Sequence, residues 1–99
     1  MLKTRVMAFG AFDCLHPGHR HFLQQAKSYG HELIVVVARD VTVAAVKGHQ
    51  PRQPEAERLR QVKMLPWVDR ACLGEAGDKY LVIRRFQPVT PPGLVVAPL

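Results

Sequence analysis

Blocks of apolar residues alternate with mixed stretches along this chain, and they predict strands and helices in turn. The apolar run at residues 5–9, closed by Gly10, and the β-branched run at residues 33–38 are typical of buried parallel strands. A weaker strand is predicted at residues 70–73 and a fourth at residues 94–97. Each pair of strands is far enough apart in sequence for a helix or a long loop to connect them.

Helices are predicted between the strands. The first begins at Pro17, which suits the first position of a helix, and its apolar residues recur on one face until Gly30 ends it. A second helix is predicted between the prolines at positions 54 and 66, and a third over residues 78–86. Residues 39–53 contain glycine, proline and several charges, so they predict a long, mobile loop.

The alternation of strands and helices predicts an α/β fold, a three-layer α/β/α Rossmann-like sandwich around a parallel sheet. All 99 residues are expected to form a single domain, because so short a chain builds only one core. Ligands in such folds bind beyond the carboxyl ends of the strands. The turn after the first strand and the loop after the second are therefore the segments expected to carry the chemistry.

Lysine and arginine outnumber the acidic residues by 14 to 8, and the formal net charge of +6 favours an anionic partner. A nucleotide, a phosphate ester, a nucleic acid and an acidic membrane would all satisfy this charge. The longest apolar stretch has six residues, far fewer than the roughly 20 that span a bilayer, and no signal-peptide pattern precedes the first strand. Two cysteines make no disulfide framework, so a reduced, cytoplasmic protein without a membrane partner is expected.

The turn after the first strand carries two histidines, His16 and His19, three residues apart at the predicted start of a helix. At this spacing both imidazoles can face one point, beside the unpaired N–H groups of the helix N-terminus. Gly18 leaves the backbone open to a phosphate, and Gly10 permits the tight turn off the strand. Two imidazoles and a helix N-terminus suit the charge that develops during transfer at phosphorus.

Two other interpretations of this turn stay open. The histidines could be ordinary polar residues of an exposed loop. Alternatively, the turn could bind a metal ion, because it holds four residues of ligand type: Cys14, His16, His19 and His21. Against the metal, His19 and His21 point in different directions on a helix.

A cationic segment follows the second strand. Residues 47–63 hold five cations and two acids, and this excess of three is half of the net charge of the chain. Lys47 and Arg52 lie in the predicted loop, and Arg58 lies in the helix after it. A mobile basic loop could close over a triphosphate and neutralise a leaving pyrophosphate. The simpler alternative is a solvated basic surface.

The motif at residues 10–19, Gly-x-Phe-Asp-x-x-His-x-Gly-His directly after a strand, resembles the HxGH nucleotidyltransferase superfamily and its cytidylyltransferase-like branch. Further segments are most similar to archaeal-type FAD synthases and less closely to glycerol-3-phosphate cytidylyltransferases. These segments are residues 37–43, 47–51, 57–59 and 68–74. The resemblance extends over residues 5–88.

The resemblance implies transfer of AMP from ATP to FMN, giving FAD and pyrophosphate, with Mg²⁺ or another divalent cation on the triphosphate. ATP and FMN are therefore the expected small-molecule partners, and CTP with glycerol 3-phosphate is the alternative pair. By the same resemblance the catalytic residues are His16, His19 and Lys47. Those expected to bind the nucleotide are Gly10, Ala11, Phe12, Asp13, His16, Pro17, Gly18, His19 and Arg58, with Asp13 also near the metal.

The end of the chain departs from the family pattern. A Gly-x-Asp motif and further elements are expected after the fourth strand, whereas the sequence reads Phe-Gln-Pro-Val-Thr-Pro-Pro-Gly before residue 94 and stops at Leu99. Ala11 also stands where a threonine is common. We therefore expect a sheet that is shortened at its C-terminal edge. An inactive nucleotide-binding remnant is the alternative to an active enzyme, and a homo-oligomer is one way in which the open edge of the sheet could be covered. Nucleic-acid binding is not expected, since no aromatic stripe or recognised motif accompanies the charge.

Overall fold

The computed structural model describes residues 4–74 and, for residues 94–98, the backbone alone. The strands are β1 (Arg5–Gly10), β2 (Glu32–Val37), β3 (Arg70–Leu73) and β4 (Leu94–Pro98). The helices are α1 (Pro17–Ser28), α2 (Asp40–Lys47) and α3 (Glu55–Lys63), and none of these is long and apolar enough to cross a membrane. The four predicted strands and the first two predicted helices are confirmed.

The described strands lie parallel in one sheet, in the order β3-β2-β1-β4. β1 pairs with β2 along its whole length, from Arg5 opposite Glu32 to Gly10 opposite Val37. The chain adds β2 and β3 on one side of β1 and then places β4 on the other side. The strand order thus reverses between β1 and β4, and open parallel sheets commonly bind ligands beyond the carboxyl ends of the strands at such a point.

Successive residues of a strand point to opposite faces of the sheet, and β1 and β2 consist of consecutive apolar residues over most of their length. Both faces of the sheet are therefore apolar. One face packs against α1 and α3, and there Val6, Val35 and the α1 residue Leu23 are fully buried. On the other face, Met7 and Ile34 are at most 1% exposed. The parallel α/β fold is confirmed. Its predicted second helical layer stays a prediction, since the helix expected over residues 78–86 lies outside the described residues.

The prediction of a loop over residues 39–53 is wrong for its first half, where the chain forms α2. Asp40 lies in the first turn and complements the helix dipole, Val43 is buried, and Gly48 ends the helix with a φ of 79°. The carboxylate of Glu55, 15 residues away, accepts a hydrogen bond from the backbone N–H of Asp40 at 2.9 Å. That bond satisfies one of the donors that a helix leaves unpaired at its start.

The connection between α1 and β2 passes close to the start of β1. The carbonyl of Thr4 accepts hydrogen bonds from the N–H groups of His31 at 2.8 Å and Glu32 at 3.2 Å. At Gly30, a Cβ would lie 2.8 Å from the Thr4 carbonyl oxygen and 2.8 Å from a methyl carbon of Val6. Gly30 is therefore needed for the close approach of two backbone segments at the amino-terminal edge of the sheet.

We expect Gly30→Ala to destabilise the chain by about 1–3 kcal/mol, because the added methyl group must displace backbone and a buried valine. Urea denaturation followed by circular dichroism measures this change. The control is Gln24→Ala, an exposed position of α1, which should leave the unfolding midpoint close to that of the parent chain. Equal midpoints for the two variants would contradict the close contact at Gly30.

Candidate active site

His16 lies directly before α1 and caps its amino terminus. Its Nδ1 accepts hydrogen bonds from the backbone N–H groups of Gly18 at 3.0 Å and of His19 at 3.4 Å. These N–H groups belong to the donors that an α-helix leaves unpaired in its first turn. An accepting Nδ1 carries no proton, so the neutral ring has its N–H at Nε2 and can donate a hydrogen bond from there.

Gly18 makes room for the ring of His16. A Cβ at this position would lie 2.8 Å from Cε1 and 3.0 Å from Nδ1 of that ring. A side chain here would therefore push the imidazole away from the start of the helix. The sequence suggested that Gly18 leaves space for a phosphate, whereas in this structure the capping imidazole occupies the space beside it.

His19 stacks on His16, with ring centroids 3.8 Å apart and ring planes 20° apart. Phe12 meets the His19 ring in a T-shaped contact with centroids 5.6 Å apart. Partial burial lowers the pKa of His19 below its ordinary value of 6.5. A protonated His16 and the charge of Lys47 lower this pKa further, and the charge of Asp13 acts in the opposite direction. At neutral pH the His19 imidazole is therefore uncharged.

The turn between β1 and α1 has two residues in the left-handed backbone region, Phe12 with a φ of 52° and Cys14 with a φ of 55°. Residues other than glycine adopt this conformation at a cost, and surrounding contacts must hold them in it. Phe12 is fully buried. The N–H of Cys14 donates a hydrogen bond to the side-chain oxygen of Gln53 at 3.0 Å. Tertiary contacts thus support the strained turn.

Asp13 joins this turn to the loop between α2 and α3. Its Oδ2 accepts a hydrogen bond from the N–H of Arg52 at 2.8 Å, and its Oδ1 accepts one from the N–H of Gln53 at 3.0 Å. Partial burial acts to raise the pKa of Asp13. These two hydrogen bonds, with the charges of Arg58 and Lys47, outweigh burial and lower the pKa below its ordinary 3.8. The carboxylate is therefore ionised at neutral pH and engaged with backbone.

No group of three or more histidine, cysteine, aspartate or glutamate side chains is placed to hold a metal ion within the described part of the chain. The metal-site alternative for the histidine turn thus gains no support. Asp13, predicted near the metal, uses both carboxylate oxygens to accept backbone hydrogen bonds. The contact of Asp13 with a divalent cation stays a prediction, since such ions need several oxygen ligands and the described residues group no three such side chains around it.

Arg58 of α3 is fully buried, although the family resemblance implied that it binds the nucleotide. Its guanidinium donates hydrogen bonds of 2.7–3.0 Å to the carbonyls of Gln53, Ala11 and Ala38 and to the carboxylate of Asp40. Ala11 and Ala38 follow β1 and β2, so this one cation links the carboxyl ends of two neighbouring strands. Arg58 shapes the site through the backbone around it, and its contact with a nucleotide stays a prediction.

A cavity of about 460 Å³ lies at the carboxyl end of β1. Its lining includes seven residues predicted from the sequence: Gly10, Ala11, Phe12, Asp13, His16, His19 and Lys47. Pro17, Gly18 and Arg58, also predicted, are not part of the lining, whereas Cys14 and Arg52 are. The cationic segment was the sequence signal for Arg52. Cys14 entered the sequence analysis only as a possible metal ligand, and nothing there indicated that it would line a nucleotide cavity.

The cavity brings two imidazoles and two basic side chains around one space. Lys47 is the last residue of α2, and Arg52 comes from the loop that follows it. Imidazole N–H, ammonium and guanidinium groups are suitable donors for phosphate oxygens, and the positive end of the α1 dipole lies at the same place. The arrangement is suited to binding a polyanion and to stabilising charge that develops on it.

A family model described as Cytidylyltransferase-like matches residues 7–90 of this chain. FAD synthase of Methanohalophilus mahii is 47% identical over 87 residues, which are 86% of this chain and 58% of that protein. FAD synthase of Aciduliprofundum boonei is 50% identical over 85 residues, with 86% and 56% covered. The chain thus spans less than two thirds of the length of these curated relatives.

A solved structure also resembles the chain. The lipopolysaccharide core biosynthesis protein from Thermoplasma volcanium GSS1 superposes with a TM-score of 0.80 at 46% sequence identity. The superposition covers 85% of this chain and 68% of that one. At this identity and score the two chains share their fold over the matched region.

We expect Arg58→Ala to destabilise the chain by about 3–5 kcal/mol, because it leaves a carboxylate and three carbonyls without their buried donor. Urea denaturation measures the change. Arg60→Ala is the matched control on the same helix: its ion pair with Glu57 is solvent-exposed, and such pairs contribute little. A stability for Arg58→Ala equal to that of the control would show that Arg58 does not hold the site together.

We expect the pKa of His19, followed by NMR of its ring protons, to lie below 6.5 in the parent chain. Lys47→Ala should move this pKa upward, because it removes a positive charge that disfavours the imidazolium. Lys63→Ala, at the end of α3, removes the same charge elsewhere and should leave the titration unchanged. An unchanged pKa of His19 in Lys47→Ala would contradict the placement of these two side chains in one cavity.

Proposed function

Because this chain belongs to the cytidylyltransferase-like family, we propose that its cavity binds a nucleoside triphosphate and transfers the nucleoside monophosphate to a phosphate ester. The observation that carries the proposal is the stacked pair of His16 and His19 in the same cavity as Lys47 and Arg52. The relatives named FAD synthase support one form of this reaction. AMP passes from ATP to FMN, and the products are FAD and pyrophosphate.

In this reaction an oxygen of the acceptor phosphate forms a bond to the α-phosphorus of the triphosphate. The bond from that phosphorus to the oxygen that bridges to the β-phosphate breaks, and pyrophosphate leaves with the electron pair. Negative charge therefore grows on the bridging oxygen. No covalent enzyme intermediate is needed, so the protein contributes by positioning the reactants and by stabilising charge.

The two histidines are assigned to the α-phosphate and the bridging oxygen. His16 uses Nδ1 to cap α1, which leaves its Nε2–H for a phosphate oxygen. His19 is uncharged at neutral pH, so its N–H can donate to a phosphate oxygen without a full positive charge beside Lys47. Lys47 and Arg52 then neutralise the leaving pyrophosphate.

A divalent cation such as Mg²⁺ is proposed to bind through the oxygens of the triphosphate rather than in a site built from side chains. Bound there, it would supply further positive charge to the phosphates. The roles assigned to His16, His19, Lys47 and Arg52 do not depend on a protein ligand to this cation.

Nucleotide binding without turnover is the second candidate function. It is supported by the cavity lining of two imidazoles, Lys47 and Arg52, which suits binding of a polyanion whether or not a reaction follows. CTP with glycerol 3-phosphate is the alternative substrate pair for the same chemistry. Self-association also stays part of the proposal, because β4 is an edge strand of the described sheet and open edges can pair with another chain. The cytoplasmic location expected from the sequence stays a prediction.

We expect the chain to release pyrophosphate from ATP in the presence of FMN and Mg²⁺, measured with a coupled pyrophosphate assay and by chromatography of FAD. His16→Asn retains a side-chain oxygen that can cap α1 but removes the imidazole. This variant and His19→Ala should each lower kcat by about 10²–10³-fold, the effect of removing one donor to the developing charge. His21→Ala, an exposed position of the same helix outside the cavity lining, should retain the parent rate.

The assay has three other informative outcomes. Activity with CTP and glycerol 3-phosphate, and none with ATP and FMN, would replace the substrate pair. Calorimetric binding of ATP without product under any condition would establish the second candidate. Neither binding nor turnover with any triphosphate would refute the proposed function. Sedimentation velocity of the same samples tests self-association, and a stable monomer would contradict it.

A further inference from the structure

Gln53 connects the loop before α3 with the turn that carries the histidines. Its side-chain oxygen accepts the N–H of Cys14, and its own N–H donates to Asp13, each at 3.0 Å. Its carbonyl accepts a hydrogen bond from Nε of Arg58, also at 3.0 Å. Its N–H, side-chain oxygen and carbonyl therefore all bind parts of the candidate site, although Gln53 itself does not line the cavity.

The residue that the Gln53 side chain holds is one of the two left-handed residues of the turn. Cys14 has a φ of 55°, a conformation that a residue with a Cβ adopts reluctantly. A hydrogen bond to the N–H of such a residue favours the strained conformation over the relaxed alternatives. Since His16 follows only two residues later, the path of the chain at Cys14 sets where the capping imidazole begins.

The loop between α2 and α3, which contacts the turn through Gln53, also carries a basic residue of the cavity. Arg52, next to Gln53 in sequence, donates its N–H to Asp13 at 2.8 Å and is one of the residues that line the cavity. Lys47 ends the helix from which this loop departs. The contact between this loop and the turn after β1 therefore sets the distance between the imidazoles and the basic side chains.

We propose that Gln53 is a positioning residue of this site. It holds Cys14 in its left-handed conformation and thereby places His16 and His19 opposite Lys47 and Arg52. Its expected effect on catalysis rests on the proposed function, whereas its effect on the turn does not. The two can therefore be tested separately.

The first test uses the chain without substrate. Gln53→Met retains the length of the side chain but removes the oxygen that accepts the N–H of Cys14. We expect hydrogen exchange of the Cys14 amide, measured by NMR, to become about 5–10-fold faster, as for the loss of one backbone hydrogen bond. The amide of Val35 in β2 should exchange at its parent rate. Gln50→Met, an exposed position of the same loop, is the matched control.

The same spectra report on the histidines. In Gln53→Met the ring signals of His16 and His19 should shift, although the described hydrogen bonds of Gln53 go to Cys14, Asp13 and Arg58 and not to the rings. The ring signals of His21 and His31, which lie outside the cavity lining, should stay unchanged. Shifts confined to the first pair support positioning, and shifts of all four rings would indicate a general loss of structure and overturn the proposal.

The second test measures catalysis and its coupling to Cys14. Gln53→Met should lower kcat for FAD formation about 10-fold with little change in KM, because a misplaced catalytic group acts on the transition state more than on binding. Glycine adopts a φ near 55° without the cost of a Cβ. The effect of Gln53→Met on kcat should therefore be smaller in the Cys14→Gly background, which a double-mutant cycle measures.

Unchanged exchange at Cys14 in folded Gln53→Met would overturn the proposal. So would exchange that accelerates equally at Cys14 and Val35, or additive effects in the double-mutant cycle of an active enzyme. If the parent chain binds ATP but shows no turnover, the transfer reaction is refuted and the second candidate function, binding without turnover, stands. The exchange and ring-signal measurements then decide the role of Gln53 by themselves.

Discussion

The buried guanidinium of Arg58 is the interaction on which the rest of this site depends. Removing a cation from water costs several kcal/mol unless hydrogen bonds and an opposite charge compensate it. Here the carboxylate of Asp40 and three backbone carbonyls supply that compensation. Those carbonyls belong to the turn after β1, the end of β2 and the loop before α3. Because one rigid planar group satisfies all of them, these segments keep a single arrangement at the carboxyl end of the sheet.

The basic residues around the candidate site differ in their environment, since one is buried and two line the cavity. Arg58 acts inside the protein, and its charge is neutralised by Asp40. Lys47 and Arg52 line the cavity, where they are the groups proposed to meet an anion. His16 caps α1 with one ring nitrogen, and its other ring nitrogen is the one proposed to bind a phosphate oxygen. In this small domain, the groups that stabilise the backbone therefore also orient the groups that line the cavity.

Local patterns made much of the fold predictable. The β-branched run of β2 indicated a strand buried on both faces, and Pro17 indicated the start of α1, because both signals act within a few residues. The segment after β2 was misjudged for the opposite reason. α2 is short and weakly amphipathic, and one of its initial N–H groups is satisfied by Glu55, 15 residues further along the chain. No pattern within α2 itself shows that such a partner will be present.

From its sequence alone, this chain determines a parallel α/β sheet, a histidine pair at the start of the first helix and a basic segment after the second strand. Folding adds the parts that depend on distant partners: the left-handed turn, the inward guanidinium of Arg58 and the contacts of Gln53. The tertiary structure also shows that Gly18 makes room for the imidazole of His16, whereas the sequence suggested room for a phosphate. The residues joined by these contacts lie 39 positions apart for Cys14 and Gln53 and 47 for Ala11 and Arg58. Their free energy arises only when the segments meet, so periodicity and local propensity carry no trace of it.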